Sequence, residues 1–192
     1  MYGRRPYFLL LEGGILKNTA RITLCSMMAA LASLCMLTSY FPYLTYAIPA
    51  IAGLFIMVVV IEINAKWAAV AYIASSVIIG LIAEPEAKML YVLFFGYYPI
   101  VKAVFERLKS RMVEYILKFA VLNIAIIFAY SIVASLIGVN LSDMGDFGKY
   151  SSIVLIICAN IVFVVYDFAV AKMAQFYMIR LHPQLSKILK IK

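Results

Sequence analysis

The chain has 192 residues, of which 66% are hydrophobic and only 14% charged. A soluble domain runs nearer ~45–50% apolar and ~25% charged, so this composition excludes a soluble globular fold, a disordered chain and a disulfide scaffold. The formal net charge of +8 does not indicate nucleic acid, because the basic residues follow a membrane topology.

Residues 1–18 form an N-terminal arm. Arg4 and Arg5 precede a short apolar stretch that Glu12, Gly13 and Gly14 interrupt, too early for a secretory signal. The arm is expected on the cytoplasmic side, resting on the membrane surface through Tyr7, Phe8 and Leu9.

A spanning helix needs about 20 mostly apolar residues. The first run is 22–41, ended by Pro42. The second, 46–61, stops at Glu62, Asn64 and Lys66; the third, 67–83, stops at Glu84-Pro85-Glu86. The fourth is 89–105, and the fifth, 112–139, carries Glu114 and Lys118 near its start. The sixth is 150–171, continuing as a helix to Arg180. The second and third are short enough to be internal buried helices instead. The expected architecture is all-α: a six-helix transmembrane domain over residues 19–181, then a basic cytoplasmic tail, 182–192. With six spans and both termini cytoplasmic, only Lys88 and Lys149 of the 17 Lys and Arg lie outside. That asymmetry is the positive-inside pattern of a multi-pass membrane protein, and a bacterial plasma membrane is the expected location. It also favours contact with anionic lipid on the inner face.

The outer loops carry candidate binding residues. Loop one holds Tyr40, Tyr43 and Tyr46; loop three holds Glu84 and Glu86; loop five holds Asn140, Asp143 and Asp146. Solvated connections are one reading. A cap over a small polar or cationic ligand is the other, since phenols and carboxylates suit such a guest.

Ionisable residues inside a membrane are costly and point to function. Lys102 lies ~20 Å and Asp167 ~25 Å below the outer ends of their runs at 1.5 Å per residue. Their similar depth predicts an intramembrane Lys102–Asp167 pair, serving as a structural tie, a proton relay or a partner contact. Asn123 and Asn160 could bond across helices. Glu62 and Lys66 are expected within reach of water. Gly96-Tyr97-Tyr98-Pro99 predicts a kink in the fourth run. Cys25, Ala29 and Ser33 form a small-residue stripe on the first run, which either packs within the bundle or docks another membrane subunit.

Catalysis is not expected. The three cysteines, Cys25, Cys35 and Cys158, lie in apolar runs away from the single histidine, His182. No metal-ligand spacing, nucleophile elbow or phosphate loop is present in the sequence. No metal or other cofactor is therefore expected.

Thr19-Ala20-Arg21-Ile22-Thr23, leading into Met28-Ala29-Ala30-Leu31-Ala32-Ser33, resembles the opening of the substrate-binding S components of energy-coupling factor transporters. Ala29-xxx-Ser33 stands where that family carries AxxxA. The resemblance implies six spans with both ends cytoplasmic. It implies capture of a vitamin or metal ion by outer loops one, three and five, and docking through span one to a coupling subunit driven by two ATPases. The sequence shows no signature of a particular vitamin, and no histidine-rich N-terminus for nickel or cobalt. Two other readings remain: a ligand-free cell-shape scaffold of the MreD type, and a small stand-alone carrier using Asp167.

Overall fold

Helices form where the apolar runs predict them. The computed structural model describes residues 18–41, 43–108, 111–137 and 146–183, and every regular element among them is helical. In chain order they are α1 (Asn18–Leu37) with a 3₁₀ turn Thr38–Tyr40, α2 (Ala47–Glu62), α3 (Ala65–Ile82), α4 (Pro85–Leu90), α5 (Tyr98–Phe105), α6 (Arg111–Ile137) and α7 (Asp146–Phe176). A π turn, Tyr91–Phe95, joins α4 towards α5, and a second, Tyr177–Leu181, extends α7.

Four stretches among the described residues are long and apolar enough to cross a membrane: Asn18–Tyr40, Ala65–Ile82, Pro85–Phe105 and Ile156–Leu181. On α3, Val70, Ile73, Val77 and Leu81 are exposed while Ala68, Ala71, Ser75 and Ile79 are buried. Both sets recur at helical spacing, and an exposed face this apolar suits lipid rather than water. These features are those of a multi-pass membrane protein.

The chain divides into two compact units, one holding residues up to Lys109 together with Val170 onward, the other Ser110–Ala169. The boundary at Val170 falls within α7, so that helix contributes to both units. The charged connection through Glu106, Arg107 and Lys109 marks the first boundary.

In the first unit α2 is the central element, packed against α1, α3, α4 and α5. Its 16 residues reach only ~24 Å at 1.5 Å per residue. Ile48, Ala52, Ile56, Met57 and Val59 to Glu62 are buried. Of the two short runs, α2 is wrapped by its neighbours, whereas α3 presents an apolar outer face. Only Ile63 and Asn64 separate the two helices. The Asn64 side chain caps α3, accepting a bond from the Trp67 N–H at 3.0 Å. A polar cap at this place is worth ~1 kcal/mol.

Cys25, Ala29 and Ser33 are buried within this unit. Their helix packs on α2 and α3, and the Cys25 thiol approaches the Trp67 carbonyl at 3.8 Å. Of the two readings of the stripe, this is the packing one: small side chains let the unit's own helices approach closely. The outward face of α1 is instead formed by Ser26, Met27, Ala30, Leu31 and Leu34.

The fourth run is broken as its sequence predicts. The Gly96 N–H bonds to the Tyr91 carbonyl at 2.8 Å across the π turn, and α5 begins only at Tyr98 with Pro99 in its first turn. Proline has no N–H to continue the preceding ladder. A Cβ on Gly96 would lie 2.8 Å from the Tyr72 ring and 2.9 Å from the Tyr91 ring. The glycine thus opens room for two aromatic side chains against the backbone.

The second unit is an antiparallel pairing of α6 with α7. Phe119 meets Phe163 edge-on at 5.4 Å between ring centroids. One turn further along, Asn123 Nδ2 donates to Asn160 Oδ1 at 3.4 Å, the interhelical bond expected from the sequence.

Candidate functional site

Two polar clusters lie at opposite ends of the first unit. The aromatic end joins the segment after α1 to the start of α4. Tyr40 donates its hydroxyl to the Ile82 carbonyl at 3.0 Å. Thr45 Oγ1 lies 3.0 Å from Glu84 Oε2 and 3.2 Å from the Ser39 carbonyl. Tyr46 donates to Glu86 Oε2 at 3.1 Å. The Lys88 ammonium reaches back to the Gly80 carbonyl at 3.4 Å. Four sequence-predicted residues, Tyr40, Tyr46, Glu84 and Glu86, are thereby brought onto one rim.

Local sequence explains the rim. Pro85 opens α4 at a position where its missing N–H is no loss. Glu86 then sits in the first helical turn, where the helix dipole favours an acid. Tyr43 adopts a left-handed backbone, φ 74°, and its side chain is 97% exposed. A non-glycine residue in that region is uncommon, and here it turns the chain back towards α2. The hydrogen bond to Glu86, reinforced by the carboxylate's charge, raises the Tyr46 phenol above its ordinary value. Asn140 and Asp143 lie outside the described residues, and Asp146 is the first residue of α7.

At the basic end the sequence reading needs correction. Glu62 was expected within reach of water; it is 3% exposed. Its Oε1 lies 2.8 Å from the Tyr177 hydroxyl and 2.8 Å from His182 Nδ1. Its Oε2 is buried with no hydrogen-bond partner among the described residues. The sequence offered one signal for this site, an acid at the end of an apolar run. It gave no sign of the partners, which lie more than 100 residues away in the chain.

Ion pairs within each unit involve charged residues of the fourth to sixth runs. Lys102 lies 3.3 Å from Glu106, one turn along α5. In the second unit Lys118 lies 2.7 Å from Glu114 and 3.4 Å from Asp167. Lys118 is a partner of Asp167 that the sequence did not suggest, because its position reads as the membrane edge.

No family model, curated protein or solved structure matches the chain. The rim offers phenols and carboxylates, which suit a polar or cationic guest. The basic end offers a buried acid and an imidazole, which suit proton exchange. Among the described residues no group of three or more His, Cys, Asp or Glu is placed to hold a metal.

Proposed function

We propose that this chain is a six-span protein of a bacterial plasma membrane, with both ends cytoplasmic. In this reading it is the substrate-binding component of an energy-coupling-factor-type importer. The observation that carries it is the rim: Thr45–Glu84 and Tyr46–Glu86, at 3.0 and 3.1 Å, join the two segments the resemblance assigns to substrate capture. A small polar or cationic molecule meets Tyr40, Tyr43, Tyr46, Glu84 and Glu86 on this rim. Docking to the coupling subunit and its two ATPases uses the outward face of α1, where Ser26 and Ala30 allow close helix approach. The chain binds and delivers; it performs no catalysis.

A second reading rests on the interior of the first unit. Met36, Ile56, Tyr91 and Tyr98 are fully buried there, and a filled interior suits a ligand-free scaffold. Native mass spectrometry after gentle extraction from the membrane separates the two. Co-purification of a coupling subunit with two ATPases, or of a small bound molecule, supports the importer. A bare chain, or one carrying cell-wall machinery, supports the scaffold.

A further inference from the structure

We propose that Glu62 and His182 form a proton-binding site, in which the imidazole passes a proton between water and the buried carboxylate. Glu62 ends α2 and His182 follows the π turn that extends α7. Glu62 is the last residue of α2, where the helix end carries partial negative charge. A bare carboxylate there is costly, and the unpartnered Oε2 makes it costlier. A proton removes that cost.

The π turn is what assembles the site. Tyr177 and His182 are five residues apart, which on an α-helix separates them by about 140° around the axis. In the π turn the His182 N–H instead bonds to the Tyr177 carbonyl, so the two side chains stack over the same Oε1. His182 is the group that can ferry the proton, because its side chain is 35% exposed while that of Glu62 is 1% exposed. The step balances within the pair. A proton from water forms an N–H bond at Nε2, the Nδ1–H bond breaks, and an O–H bond forms at Glu62 Oε1. The imidazole is left neutral in its other tautomer.

The neighbouring charges do not replace the imidazole. On α1, Arg21 is half-buried, and its Nε has no partner among the described residues. On α3, Lys66 is exposed. On α5, Lys102 and Glu106 pair with each other. Lys172 and Arg180 on the α7 segment are both exposed.

The test uses the full chain in lipid nanodiscs. Infrared difference spectra between alkaline and acidic buffer are expected to show a protonated-carboxyl band that Glu62→Gln removes and Glu84→Gln keeps. After a pH jump, His182→Ala is expected to slow the appearance of that band on the order of a hundredfold, the lower range for a positioned proton carrier. Added imidazole is expected to restore most of the rate, which a purely structural histidine would not allow. Should Glu62→Gln fail to fold, Tyr177→Phe assigns the band: losing one donor to Oε1 shifts its frequency without abolishing it. A spectrum insensitive to positions 62 and 177, an unchanged rate in His182→Ala, or no rescue by imidazole overturns the proposal.

Discussion

Lys118 and Asp167 pair across α6 and α7 at 3.4 Å, and the lysine is only 2% exposed. Glu114 shares the same ammonium at 2.7 Å, so neither acid alone carries the neutralisation. Asp167→Asn is expected to cost about 1.5–3 kcal/mol, the loss of one charge-assisted contact. Removing both acids takes two counter-charges from a buried ammonium and is expected to cost more than either substitution alone. Asp167→Lys sets two ammonium groups together and is expected to abolish stable expression. Thermal unfolding of the purified variants in one detergent orders these outcomes; equal melting temperatures for all of them would deny the pair any structural weight.

The Asn123–Asn160 bond lies two turns further along the same helices. A side-chain bond of this kind between apolar helices contributes about 0.6–2 kcal/mol. Asn123→Leu and Asn160→Leu are each expected to destabilise by that order. The double variant is expected to cost less than the two singles summed, because each single strands the other amide. Strict additivity in this cycle would mean that the two amides do not interact.

The helices were legible because lipid-scale apolar runs and their polar stops are one-dimensional signals. Pro42, Glu62 and Glu84-Pro85 bracket α1, α2 and α3 as read. The break at Gly96 to Pro99 was equally plain, since a missing N–H acts locally. Pair identities were less legible. Asp167 could be placed by depth, yet depth alone does not reveal Lys118 as a partner, which depends on which faces the helices present. Cys25, Ala29 and Ser33 show the same gap. Their spacing announces close packing but not whether the partner is the chain itself. Glu62 was hardest, because its burial depends on α7 turning through a π segment that no residue pattern announces.

Tyr46 offers a pH signature. Its phenol donates to Glu86 and is held above the ordinary value of 10.0. A folded value above the unfolded one means that the contribution is whole below pH 10 and is lost as pH climbs through the raised value. The stability advantage of the native chain over Tyr46→Phe is therefore expected at neutral pH and to vanish in strong alkali. Ultraviolet titration of tyrosinate is expected to show one phenol moving back towards its ordinary value in Glu86→Gln. Added salt is expected to shrink the effect, since both groups face solvent.

Tyr43 separates stability from binding. Its left-handed backbone costs an L-residue roughly 1–2 kcal/mol, and its exposed ring gains little from packing. Tyr43→Gly is expected to leave the melting temperature unchanged or slightly higher. If the rim binds a ligand through this ring, the same variant weakens that binding. A large drop in stability would show that the ring supports the fold instead.

Gly96 carries the sharpest steric prediction. Its missing Cβ accommodates Tyr72 and Tyr91, and neither ring is free to swing away. The Tyr72 hydroxyl is tied to the Val92 carbonyl at 2.6 Å, and the Tyr91 hydroxyl to Ser75 Oγ at 2.8 Å. Gly96→Ala would bring a methyl within 2.8–2.9 Å of both rings, so one anchored ring must move. Overpacking of this kind costs about 1–3 kcal/mol, more than the gain in helix propensity from replacing glycine, ~1 kcal/mol. Pairing Gly96→Ala with Tyr72→Leu removes one of the two clashes and is expected to recover part of the loss. A melting temperature that rises in Gly96→Ala would mean that the rings relax freely and that the break at this point owes more to Pro99 than to the glycine.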